Sequence, residues 1–180
     1  SAVYAEALLE SFLRNLGGGS STLPVVLPLV EALMNSGGWR NERAALSILE
    51  RCLDAAPVTF AQHVPVAVEA ALGLASTSLS VRVQLQALQL LGALCHADNA
   101  AQDGTQAAQQ PAHAAPINVR GPYGGRILQV ASGLVSSPCG KVSSHACLAL
   151  VSYCRGGSGR DNCGAPVPRE LLVPYLNDVL

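Results

Sequence analysis

Val83-Gln84-Leu85-Gln86-Ala87-Leu88-Gln89-Leu90-Leu91 decides the fold, because the chain carries it in two further versions. Asn41-Glu42-Arg43-Ala44-Ala45-Leu46-Ser47-Ile48-Leu49 precedes it, and Val142-Ser143-Ser144-His145-Ala146-Cys147-Leu148-Ala149-Leu150 follows. In register, the columns are Ala45/Ala87/Ala146, Leu49/Leu91/Leu150 and Leu53/Cys95/Cys154. Their i, i+4, i+8 spacing draws one stripe along a helix. A small residue at the head of the stripe lets neighbouring helices approach, and larger ones fill the seam behind it. From Ala45 to Ala87 is 42 residues, within the period of helix-pair repeats. From Ala87 to Ala146 is 59, longer by about one-third of a repeat.

The segments between these copies also read as helices. Val3, Ala7, Leu8 and Phe12, with Leu16 beyond, keep helical spacing until Gly17-Gly18-Gly19. Leu23 to Met34 follows, with Thr22 as N-cap and Pro24 in its first turn. Gly37-Gly38 ends it, and Trp39 to Ala55 forms the next helix, stopped by Pro57. Phe60 to Leu74, Ser80 to His96, Gly125 to Val135, Val142 to Cys154 and Arg169 to Leu180 complete eight expected helices. Leu27-Pro28-Leu29, Val64-Pro65-Val66 and Val173-Pro174-Tyr175 each put a proline early in an apolar helix, where it costs little. The chain therefore alternates a proline-bearing A helix with a B helix carrying the Ala-Leu stripe. No segment alternates with period two. The expected fold is all-α, a HEAT-type solenoid of about four helix pairs spanning residues 1–180.

The extra third of a repeat falls at Asp98 to Gly121, a polar low-complexity stretch with two prolines. It offers too little apolar surface to offset the entropy of ordering it, so a flexible insertion is expected over 98–121. A second flexible loop is expected over the Gly-rich residues 155–167. The chain opens at Ser1 and stops at Leu180 inside helical patterns, as a piece of a longer array would, with Leu171, Leu172 and Leu176 on an A helix lacking its B partner.

Composition narrows the function. A 49% hydrophobic share with 13% charged residues supports a large core and argues against disorder. Aromatics make up only 4% and the net charge is −1, which speaks against base stacking and a basic nucleic-acid surface. The six cysteines come without a signal peptide or an Asn-x-Ser/Thr acceptor, so reduced thiols in an intracellular soluble protein are expected. Cys147 and Cys154, seven apart in an apolar segment, read as sharing one buried helix face. No uninterrupted apolar stretch has the length of a membrane span.

Catalysis finds no footing. Cys139, His145, Cys147, Cys154 and Cys163 cluster in sequence but lack the short Cys-x-x-Cys pair of a zinc site. His63, His96, His113 and His145 lie on separate elements, and no nucleophile elbow, P-loop or dinucleotide fingerprint occurs. Gly17-Gly18-Gly19-Ser20 joins two helices without the strand a phosphate loop needs. A non-enzymatic protein acting by reversible protein binding, without cofactor or metal, is expected.

One constellation points to a binding surface. Arg40, Arg82 and Lys141 share the column just before the stripe, and continuing each helix gives its polar face. That face comprises Arg40, Ala44, Ser47 and Arg51; then Arg82, Gln86, Gln89 and Ala93; then Lys141, His145, Leu148 and Ser152. Three cations in the first turns oppose the helix macrodipoles. They form a ladder for an acidic partner, or are simply solvated or paired with carboxylates of a neighbouring repeat. The candidate protein-binding residues are Arg40, Arg82, Gln86, Gln89, Lys141 and His145. Trp39, the single tryptophan, is either an exposed anchor or, more in keeping with a Trp at a helix start, a filler between paired helices.

Several segments resemble a known family. Leu16-Gly17-Gly18, Leu23-Pro24-Val25-Val26 and Trp39-Arg40-Asn41-Glu42-Arg43-Ala44-Ala45-Leu46 look like the helix pair of importin-beta (karyopherin-beta) nuclear transport receptors. Lys141 to Leu150 and Glu170-Leu171-Leu172-Val173-Pro174-Tyr175-Leu176 are similar, in the same order, to segments of the importin-beta-3 subtype. The resemblance implies central HEAT repeats of a receptor that carries protein cargo between cytoplasm and nucleus. It further implies B helices lining a concave cargo-binding surface, A helices facing nucleoporins, and Ran GTPase as a partner through the parent protein, with no nucleic acid and no membrane. The alternative within the same fold is a scaffold, such as a phosphatase scaffold subunit or a tubulin-binding module.

Overall fold

The computed structural model describes residues 2–15, 19–102 and 117–155. Among them there is no strand: the elements are α1 (Ala2–Asn15), α2 (Leu23–Ser36), α3 (Trp39–Ala55), α4 (Pro57–Phe60), a 3-10 turn (Ala61–His63), α5 (Val64–Thr77), α6 (Val81–Gln102), α7 (Arg120–Val135) and α8 (Gly140–Cys154). The all-helical expectation stands. The helix expected at Arg169 to Leu180, the loop at 156–167, Cys163 and His113 lie outside the described residues.

Packing sorts these helices into two layers. α3, α6 and α8 lie side by side, while α2 packs on α3, α5 on α6 and α7 on α8. α1 lies against α3, and α5 touches α7. The contacts between the stripe helices advance in the same direction: Arg82 meets Trp39 and Gln86 meets Glu50, then Gln89 meets His145 and Gly92 meets Ala149. These three helices therefore run parallel, as successive equivalents of a repeat do.

The small-residue column holds across all three. Ala45, Ala87 and Ala146 are each 0% exposed. Leu49 and Leu91 are buried behind them, as are Leu53 and Cys95. The third helix departs from the column. Its buried residues are Val142, Ala146, Ala149 and Tyr153, so Leu150 is only half-buried and Cys154 is exposed. Tyr153, in register with the buried Cys52 and Leu94, lies against Gly124 in α7, where a Cβ would meet its hydroxyl. Cys147 is exposed as well, which corrects the expectation of a buried Cys147–Cys154 face.

Prolines set the A-layer joints. Pro65 has no N–H for the carbonyl of Ala61, and Val64 N–H takes that oxygen in a 3-10 bond instead. The helix expected at Phe60 thus begins earlier, at Pro57, and is jointed at Ala61–His63. The run Pro57–Thr77 is long and apolar enough to cross a membrane by length and composition, contrary to the sequence reading. In this fold its Val64, Ala67, Val68, Ala71, Leu72 and Ala75 fill the core against α6. Thr22 precedes α2 as expected, but its hydroxyl makes no cap hydrogen bond. Leu8 and Phe12 of α1, two of the residues that set its helical spacing, are exposed.

The insertion is narrower than its composition implied. Residues 98–102 continue α6, and residues 120–121 open α7; only 103–116 lie outside the described residues. Asp98 is fully buried, and its Oδ2 accepts hydrogen bonds from Val119 N–H at 3.1 Å and Arg120 N–H at 3.0 Å. A carboxylate there satisfies donors at the start of α7 and complements its dipole. That is why α7 begins five residues before Gly125.

Two predictions follow from this packing. Burial pushes the Cys52 thiol up to about 11 and the Cys95 thiol up to about 12, whereas Cys147 lies on the surface. A thiolate is the reactive species, so a maleimide at neutral pH should label Cys147 rapidly and reach Cys52 and Cys95 only through unfolding. Peptide mass mapping that finds all three labelled at one rate would contradict the core assignment. In the A layer, Arg126 of α7 bridges both oxygens of Glu69 in α5, at 2.5 and 2.9 Å. The Arg126 hydrogen bonds hold the Glu69 carboxyl below its ordinary 4.5. A lowered folded value means that the stabilisation is complete above 4.5 and is lost as pH falls through the lower value. The Tm difference between the native chain and Glu69→Gln should therefore be small at pH about 7 and vanish on acidification. A difference that grows toward acid would reverse the sign and refute the pairing.

Candidate functional site

The parallel packing of α3, α6 and α8 leaves their solvent side as one face with two adjoining clefts. The larger, about 560 Å³, has an apolar floor of Leu53, Leu88, Gly92, Ala93 and Ala149. Glu50, Asp54, Gln89, His96, His145 and Ser152 stand on its walls. Burial holds the half-exposed Asp54 carboxyl above its ordinary range, against the opposing pull of Arg51. The smaller cleft, about 240 Å³, lies between Arg43, Arg82, Leu85, Gln86, Gln89 and His145. Gln89 and His145 belong to both, so the two adjoin across this pair.

Arg40, Arg82 and Lys141 occupy the second position of α3, α6 and α8, and all three are exposed. Trp39 brings the first two together: the guanidiniums of Arg40 and Arg82 each lie 5.1 Å from the centre of its ring. The indole is half-buried against the core, so it fills the gap between α3 and α6 and also supports two cations. Lys141 sits one turn before His145 on α8. Among the described residues Arg40, Arg43, Arg82 and Lys141 form no salt bridge, so no described carboxylate pairs with them.

The remaining candidates divide. Gln89 is exposed, and its amide lies 3.4 Å from His145 Nε2. His145 Nδ1 is 3.0 Å from the carbonyl of Lys141. A carbonyl only accepts, so Nδ1 carries the proton and Nε2 is the acceptor facing Gln89. Gln86 is different. It is 7% exposed and donates to Glu50 Oε2 across the α3–α6 seam, so it is an inter-helix contact rather than a free recognition side chain. A helix flanked on both sides by neighbours keeps a narrower open face than its periodicity implies.

Sequence reasoning missed Arg43, Glu50, Asp54 and His96. It traced the open face of α3 through Ala44, Ser47 and Arg51, whereas α3 presents Arg43, Glu50 and Asp54 to the clefts. Arg43 stands three residues after Arg40, and an i, i+3 step would have reached it. Among the described residues, no three His, Cys, Asp or Glu side chains converge as a metal site would require. Comparison of the chain with family models, curated proteins and solved structures gave no match.

Proposed function

We propose that this chain is a HEAT-type repeat segment that binds polypeptide partners across the shared face of α3, α6 and α8. The observation that carries this reading is the pair of adjoining clefts on one face of three parallel helices. An apolar floor with polar walls spread over successive repeats suits an extended chain, whose backbone and alternating side chains need both kinds of contact. The motif resemblance set out from sequence supports the finer form of the proposal: the segment serves in an importin-beta-type receptor, carrying protein cargo between cytoplasm and nucleus.

Ran separates that form from a scaffold. In the protein that carries this segment, cargo bound to the B-helix face should dissociate when Ran-GTP is added and remain with Ran-GDP. A partner held equally in both states would contradict the transport reading and favour a scaffold.

A further inference from the structure

We propose that the basic rim of this face, Arg40, Arg43, Arg82 and Lys141, docks an acidic peptide segment, one of whose carboxylates seats between Arg43 and Arg82. The inference rests on the reading of this face as a polypeptide-binding surface and adds the chemistry of the partner.

Arg40, Arg82 and Lys141 stand on the first turns of three parallel helices, with Arg43 just beyond on α3, and none forms a salt bridge among the described residues. Arg40 and Arg82 share the Trp39 ring, and Arg43 and Arg82 line one cleft, so repulsion among these three adds to the positive helix ends, against the single first-turn carboxylate of Glu42. Glu50 faces the same region, but its carboxylate engages Gln86. A polyanionic segment relieves this repulsion, and a cationic one increases it.

The rim is also organised. Trp39 supports Arg40 and Arg82, each 5.1 Å from the ring centre, and a stacked guanidinium keeps its edge donors free for a carboxylate. At 240 Å³ the cleft between Arg43 and Arg82 is smaller than the roughly 300–1,000 Å³ of small-molecule pockets, so it suits a single side chain. Spacing sets the pattern of the partner. Packed helix axes lie about 8–10 Å apart, and three residues of a polyproline II segment, which return to the same side, span about 9 Å. An acidic residue at every third position therefore places successive carboxylates over α3, α6 and α8.

Trp39 is the only tryptophan in the chain, so its fluorescence reports directly on the rim. The 180-residue chain is titrated with a peptide bearing Glu at every third position, and with the same peptide bearing Gln. The Glu peptide should give a saturable change that weakens from about 0.05 to 0.3 M salt, and the Gln peptide none. Arg43→Glu with Arg82→Glu should weaken binding about tenfold or more at unchanged helicity. Equal response to both peptides, or an unaffected double variant, would overturn the proposal. So would a single-stranded oligonucleotide that binds in place of the Glu peptide. The Gln-peptide and salt measurements use the native chain, so they decide even where the double variant misfolds. If the Glu peptide fails while another polypeptide still shields the clefts from hydrogen exchange, the acidic assignment falls alone. If no polypeptide shields them, the binding face falls with it.

Discussion

Replacing Asp98 by Ala is expected to destabilise the chain by about 2–3 kcal/mol, lowering Tm by roughly 5–10 °C. The carboxylate is fully buried and accepts from the N–H groups of Val119 and Arg120. Removing it leaves the donor of the buried Val119 without that partner and strips the start of α7 of its negative charge. Asp98→Asn keeps an acceptor oxygen of the same shape, so its cost should be about half. Equilibrium urea unfolding of the three proteins measures both differences. A loss below about 0.5 kcal/mol for Asp98→Ala would mean that the contact across the insertion does not form in solution.

Ala87→Leu is expected to cost about 1–3 kcal/mol by overpacking. Ala87 is 0% exposed on α6, which α3, α5 and α8 all contact, so no side has room for three more carbons. Ala44→Leu, on the exposed side of α3, should change stability by less than about 0.5 kcal/mol. Thermal unfolding of the pair separates a packing effect from any general response to leucine. Equal effects at both positions would place Ala87 outside a helix seam.

The features readable in the sequence were those that local periodicity encodes. Trp39–Ala55 has the bounds expected of it, because Gly38 and Pro57 punctuate it, and all three column alanines are buried. Features set by contacts distant in sequence were not readable. Tyr153 is seated over Gly124, 29 residues earlier (153 minus 124). Asp98 read as the start of a loop, since it opens a polar low-complexity stretch with two prolines. Its role is fixed by two backbone donors more than 20 residues downstream. Within the candidate site, the exposed Arg40, Arg82 and Lys141 were legible as a column. The burial of Gln86 against Glu50 and the place of Arg43 in the cleft were not legible, because periodicity gives the direction of a face but not the angle at which the next helix crosses it.

The binding face of α3, α6 and α8 is tested most directly by hydrogen–deuterium exchange of the chain with and without saturating Glu-patterned peptide. The account predicts slowed exchange over residues 39–54, 82–96 and 141–152, with 23–36 and 64–77 in the other layer unchanged. Protection confined to α2 and α5, or spread evenly over both layers, would contradict it.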